Sequence, residues 1–355
     1  MDRRQDNVSL DAPDESSGKQ FDPKAMMHKA SEVRRRIPKS VKMKLKILFS
    51  LIMFASLFIF GKVDMNKTWQ ALLNTNPFII GATTTLLLST IIVQAHRWQI
   101  IAGYLDFKRS LGEMVRYYYV GMFFNLFLPS TVGGDVSRCY YLSKGEGKYG
   151  RAFYSVMADR ASGIAVLFLS AALGILLSSD AASLPWQLKA PIFAGTVGLF
   201  GVMPFVPWLT KTILGPNNWI ARQFNDSSLN IFWTNKPLVA KALVWSIIAQ
   251  LLMVVCHIGV GLALNLTVPL WYYFIFYPAV AVLGFVTPSF NGIGIREWAY
   301  TYFLMMVGVD RAHALTYALL WLALTTFTSL VGGLVYMASH MSPPPPQVEE
   351  EAEAV

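Results

Sequence analysis

Charge is scarce in this sequence, and that scarcity decides its class. Asp, Glu, Lys and Arg together make up 14% of the 355 residues, against about 25% in soluble globular domains. Hydrophobic residues reach 54% and the mean hydropathy is +0.43, so a string of soluble domains is excluded although the length would allow one. Cysteine is nearly absent. Cys139 and Cys256 stand alone in unrelated surroundings, which excludes a disulfide framework and a metal site built on thiolate spacing. There is no phosphate loop of the Walker type, no Gly-x-Ser-x-Gly elbow, no zinc-binding helix and no Cys/His cluster. The enzyme classes those motifs mark therefore find no support, and no cofactor or metal is expected. No cleavable signal is expected either, because residues 1–40 are polar and the first apolar run starts near Leu45.

What the sequence does hold is long apolar runs. Full spans are expected at 45–60, 77–95, 153–177, 191–209, 239–264 and 312–337, most of them near or above the roughly 18 residues a bilayer crossing needs. The net charge is +9, with twelve of the 30 Lys and Arg residues before Ile47 and most others in short loops. Charge is distributed this way when it is held on the cytoplasmic side near anionic headgroups, so no nucleic-acid partner is expected. Residues 1–44 read as a basic cytoplasmic tail, either merely solvated or bound to anionic lipid. Residues 338–355, rich in Pro and Glu, read as a disordered tail.

One motif occurs twice. Pro129-Ser130-Thr131-Val132-Gly133-Gly134-Asp135-Val136-Ser137-Arg138 is followed 159 residues later by Pro288-Ser289-Phe290-Asn291-Gly292-Ile293-Gly294-Ile295-Arg296-Glu297. Each copy interrupts an apolar run, and broken apolar segments in corresponding positions of two halves mark binding sites in membrane transporters. Applied to the neighbouring runs, the same offset carries 77–95 onto 236–254 and 153–177 onto 312–336. If both interrupted stretches are re-entrant, the cytoplasmic loops carry 12 basic residues and the external ones four, Lys62, Lys67, Lys189 and Arg311. That bias favours re-entry. The expected fold is an all-α polytopic membrane protein with about six full spans plus two re-entrant hairpins, arranged as an inverted-topology repeat of 45–178 and 191–337. Its expected location is the plasma (inner) membrane, with both termini cytoplasmic.

Non-helical backbone inside a bilayer survives only where protein buries it or water reaches it. Pro129 and Pro288 can break a helix, while Gly133, Gly134, Gly292 and Gly294 permit unusual dihedrals and close approach. A helix restarting after each break presents free N–H groups suited to a phosphate, although a ligand-free turn would use the same residues. Ionisable residues at these depths are expensive and point to function. Arg138, Arg160 and Arg296 are candidate contacts for an anionic headgroup, with Asp135, Asp159 and Glu297 orienting them. The competing reading is internal ion pairing that clamps hairpins to helices, for instance Asp159 with Arg138. Asn125 and Asn291 are candidates to support the broken backbone. Arg97, in Gln94-Ala95-His96-Arg97-Trp98, reads as an interfacial anchor, His257 as the partner of a neighbouring helix, and Tyr117–Tyr119 and Trp271–Tyr273 as interfacial belts.

Leu128-Pro129-Ser130-x-x-Gly133-Gly134-Asp135-x-x-Arg138, Ala158-Asp159-Arg160 and Pro288-x-x-x-Gly292-x-Gly294-x-Arg296-Glu297 resemble the lysylphosphatidylglycerol synthase transmembrane-region family, also described as flippase-like domain proteins. The resemblance covers about residues 45–337. It implies a membrane region associated with lipid flipping. Lysyl transfer is not expected, because the sequence ends 18 residues after Met337 and leaves no room for the cytosolic synthase domain of the bifunctional members. The expected function is translocation of an anionic phospholipid or lipid-linked phosphate. The alternatives are a membrane subunit of, or accessory to, a polyprenyl-phosphate glycolipid or aminoacyl-phospholipid synthesis enzyme, and a scaffold for a separate synthase.

Overall fold

Proline and asparagine or aspartate punctuate the chain where its helices begin. The computed structural model describes residues 64–127, 133–178, 184–215, 228–287 and 292–339, with Leu48, Ile52, Asn218 and Met341, all within the compact unit Leu45–Val355. The expected span at 45–60 and both tails lie outside the described residues, apart from those isolated positions.

The helices are α1 (Met65–Leu73), α2 (Pro77–Gly103), α3 (Leu111–Phe127), α4 (Gly133–Ser143), α5 (Tyr149–Leu177), α6 (Trp186–Leu214), α7 (Lys236–Ala263), α8 (Leu270–Val286), α9 (Ile295–Met306) and α10 (Arg311–Ala338). Asp64, Asn76, Asn235 and Asp310 cap α1, α2, α7 and α10 by accepting N–H bonds from the first turn. Those bonds satisfy donors that a helix start leaves without a partner. Five helices, α2, α5, α6, α7 and α10, are long and apolar enough to cross a bilayer, and the chain is a multi-pass membrane protein. Each runs past at least one of the bounds expected from its apolar run, because amphipathic and polar residues continue the helix past the apolar stretch. The short α1 was not expected, and it packs on α10, where Thr316 donates to the Thr68 carbonyl.

Between these long helices lie two helical hairpins, α3–α4 and α8–α9. Eleven residues of α4 reach about 17 Å and twelve of α9 about 18 Å, well short of a bilayer's roughly 30 Å hydrocarbon core. The long arms α3 and α8 have 17 residues each. Their starts, Leu111 and Leu270, and the starts of α2 and α7, Pro77 and Lys236, are separated by the same 159 residues as the two motifs. The packing is reciprocal as well. The long arm α3 lies against α10, the last helix of the other half, and α8 lies against α5. The two crossings use matching glycines. A Cβ on Gly333 would meet the Phe123 ring of α3, and one on Gly174, 159 residues earlier, would sit 3.0 Å from Ile275 of α8. Small residues that let helices approach closely are the usual means of association where lipid, not water, is the solvent. At the centre, α2 and α7 run antiparallel, with the His96 and Trp245 rings edge to face at one end and Gly259 against Thr83 nearer the other.

The interior is aromatic. Phe276, Tyr277, Tyr300, Tyr317 and Trp321 surround the fully buried His257, whose Nδ1 meets the Met253 carbonyl and whose Nε2 meets the Tyr300 hydroxyl of α9. Tyr272 and Tyr273, expected in an interfacial belt, are fully buried core residues. Trp298 is 43% exposed and stacks on Tyr302.

The α3–α4 hairpin closes on backbone contact. A Cβ on Gly134 would run into the Gly121 carbonyl oxygen, so only glycine fits. Gly134→Ala is expected to lower stability by about 1–3 kcal/mol, read as a fall in the thermal midpoint of detergent-solubilised protein. Gly81→Ala, at a position with nothing within 4 Å, leaves the midpoint unchanged or raises it.

Candidate functional site

Two aspartates and three arginines meet where the first hairpin joins α5. Asp159, on α5, accepts from Arg97 Nε at 2.7 Å and from Arg138 Nη2 at 2.8 Å. The remaining reach of Arg97 is satisfied by Ser246 of α7, 3.0 Å from Nη1. Arg138 also stands 3.6 Å from Asp135, one turn earlier on α4, and Asp135 in turn pairs with Arg160 of α5. The Arg138 guanidinium lies between two rings, 4.1 Å from the Trp98 centroid and 4.2 Å from that of Tyr118. Both rings are held in place, Trp98 by donating to Ser155 and Tyr118 by donating to Gln94.

Burial separates the members of this cluster. The side chains of Arg97, Arg138, Asp135 and Asp159 are 5% exposed or less, whereas that of Arg160 is 27% exposed. Three cations against two anions leave a surplus positive charge, and Arg160 is the member that carries it outward.

Arg160 opens onto a cavity of about 250 Å³ between the two hairpins. Asn125 of the first hairpin, Arg296 and Glu297 of the second, and the hydroxyl-bearing Thr325, Thr326 and Ser329 of α10 line it as well. The second arginine is seated by glycines. A Cβ on either Gly284 or Gly292 would come within 2.6 Å of Arg296 Nε. Gly292 and Gly294 have φ of +77° and +86°, in the left-handed region that side chains avoid, and this tight turn starts α9. Among the described residues the Arg296 side chain has no ion-pair or hydrogen-bond partner. Glu297 is not its partner, because the Glu297 carboxylate accepts from the Gly294 N–H and caps α9. The cavity thus faces two guanidinium groups while its one carboxylate is engaged by backbone.

The expected site residues fall into two groups. Arg160, Arg296, Glu297 and Asn125 line the cavity, and Asn125 also accepts the Gly134 N–H at 2.7 Å. Arg138, Asp135, Asp159, Gly133 and Gly134 are buried beside it. Arg138, expected to meet a headgroup directly, is enclosed by Asp159, Asp135, Trp98 and Tyr118. The ion-pairing alternative describes its position. Pro129, Pro288 and Asn291 lie outside the described residues. Arg97 is corrected: α2 continues to Gly103, which carries Arg97 and Trp98 into the interior and not to an interface. Tyr118 is half-buried, with its ring against Arg138. The α10 hydroxyls were not expected, although Thr325, Thr326, Thr328 and Ser329 form a polar cluster in an otherwise apolar run.

With this geometry in place, comparison with known proteins adds three findings. The profile of the family described as Lysylphosphatidylglycerol synthase TM region matches residues 43–333. A 126-residue stretch is 33% identical to the UPF0104 membrane protein MJ1595 of Methanocaldococcus jannaschii, covering 33% of this chain and 37% of that one; the match thus spans little more than a third of that relative's length. No solved structure matches.

Removing the shared anion should be costly. Asp159→Asn leaves Arg97 and Arg138 buried without their carboxylate, and breaking a buried pair costs about 3–5 kcal/mol. The expected outcome is a loss of folded protein or a large fall in thermal midpoint. Arg160→Gln, at the exposed end of the cluster, leaves the midpoint nearly unchanged.

Proposed function

Since it belongs to the lysylphosphatidylglycerol synthase TM region family, we propose that this membrane protein translocates a lipid with an anionic, phosphate-bearing headgroup. The observation that carries the reading is the cavity between the hairpins, where Arg160 and Arg296 converge and the nearby carboxylates are already engaged. Guanidinium forks match phosphate oxygens in pairs, and a charge kept within the membrane's depth is retained for a reason. The cavity is small, of a size for a headgroup, and acyl chains would remain in the surrounding lipid.

In this reading the cavity alternates between leaflets by movement of one hairpin-bearing half against the other. Arg160 is the coupling residue. An arriving phosphate competes with Asp135 for it, and Asp135 retains Arg138 when Arg160 turns away. Asp159 holds Arg97 and Arg138 throughout, so the rest of the cluster stays neutralised while the contact between α4 and α5 loosens. The orientation follows from loop charge: basic loops and both termini on the cytoplasmic side, the first hairpin entering from that side and the second from the opposite one. Partners in the proposal are the lipid itself and, where the lipid is made by a separate synthase, that enzyme.

The test is headgroup-resolved lipid movement in proteoliposomes at matched reconstitution, with phosphatidylglycerol, phosphatidylcholine and a polyprenyl phosphate as probes. Wild type is expected to move an anionic lipid, and Arg296→Ala to reduce the rate at least tenfold, about the worth of one charge-assisted hydrogen bond. Gly284→Ala, which displaces the Arg296 side chain without removing it, should fall between the two. Movement of no lipid by wild type, or equal rates in Arg296→Ala, overturns the reading.

A further inference from the structure

A large apolar recess lies away from the headgroup cavity. It is a groove of about 660 Å³ between α5, α6 and α7. Its floor is made of small residues, Ala158, Ala161 and Ala165 at helical spacing on α5 and Ala242 on α7, and its walls include Phe200 and Phe232. Alanines leave space that larger side chains would have filled.

The outer wall is unusual. Helix α6 carries Pro191 within its first segment, then a π-helical turn at Val197–Val202 and a 3-10 turn at Met203–Phe205. Such turns widen or tighten a helix and recur at functional positions. Only 6% of the apolar window of α6 is buried inside the protein, against 28–39% for the other four spans. The helix thus lies at the periphery of the bundle, packed on α5 at Gly195 and Thr196 and bordering the groove beyond them. Trp233 pins the distorted stretch from below by donating its indole N–H to the Met203 carbonyl at 2.9 Å.

One end of the groove is polar. Lys236, at the start of α7, lies at the rim and is exposed. Among the described residues it has no ion-pair partner. Tyr154 and Trp233 line the same recess, the residue types that sit at headgroup level in membranes. An apolar trough that ends at a lone cation under aromatic residues is complementary to an amphiphile, with its anionic group at the lysine and its chain along the alanines.

We propose that this groove is a binding site for one anionic membrane phospholipid, which fills the gap between α6 and the bundle. The site is separate from the cavity between the hairpins, and the proposal does not depend on translocation.

The test is native mass spectrometry of the detergent-purified full chain, incubated with phosphatidylglycerol or phosphatidylcholine of identical chains. Wild type retains one phosphatidylglycerol in preference to phosphatidylcholine. Lys236→Glu lowers that preference about fivefold or more, the worth of one basic residue against an anionic headgroup. Ala161→Phe fills the floor and abolishes retention of both lipids, with Ala165→Phe as the second filling variant should the first fail to fold. Equal retention of the two lipids by wild type, or retention that survives both phenylalanine substitutions, overturns the proposal. Occupancy is read without a transport assay, so failed translocation in proteoliposomes leaves this result standing.

Discussion

Asp159 is the residue on which the organisation of the first half depends. Its two carboxylate oxygens take one arginine each, Arg97 from α2 and Arg138 from the short hairpin arm α4. Three helices far apart in sequence are thereby fixed at one depth in a setting where an unpaired charge would be prohibitive. Ser246 extends the same anchor to α7, so one carboxylate positions helices from both halves. Trp98 and Tyr118 then enclose Arg138, adding cation–π attraction that grows as water is excluded. A hairpin whose turn interrupts an apolar segment has little backbone hydrogen bonding of its own between the arms, and the cluster supplies the missing restraint.

The second half reaches a similar backbone arrangement with different chemistry. At the 159-residue offset, Arg97 corresponds to Cys256, Arg138 to Glu297 and Asp159 to Ala318. No ion cluster is possible there. The second hairpin is instead held by its capping carboxylate and by the aromatic packing around His257, whose Tyr300 partner lies on α9. Two hairpins secured by different forces differ in how they yield. An electrostatic latch responds to a competing anion, while an aromatic interior does not.

Much of this was legible in the sequence, and the failures share a cause. The spans, the interrupted segments and the 159-residue correspondence follow from hydropathy and the placement of Pro and Gly, which are local signals. That α3 begins at Leu111 and α8 at Leu270, at the same offset, shows how faithfully they report backbone. Pairing is not local. Arg97 and Asp159 are 62 residues apart, and a helix-terminal arginine beside a tryptophan looks the same whether it meets headgroups or a buried carboxylate. The three arginines looked equivalent for the same reason, yet only Arg160 and Arg296 reach the cavity. Glu297 looked like a partner for Arg296 because the two are adjacent, but adjacent helical residues do not face each other, and a carboxylate at the third position of a helix is placed to cap it. Tyr272 and Tyr273 read as interfacial by composition, although a tyrosine packs equally well in a core, as Tyr272 does with its hydroxyl donating to the Phe303 carbonyl.

The exchange of long arms between halves bears on whether either half can fold alone. Each half ends in a helix whose glycine face is covered by the other half's arm, α10 by α3 and α5 by α8. A half-length chain alone would leave that face open and its arm without a seat. Neither half therefore buries its own glycine face, and the two can reach their packed form only together.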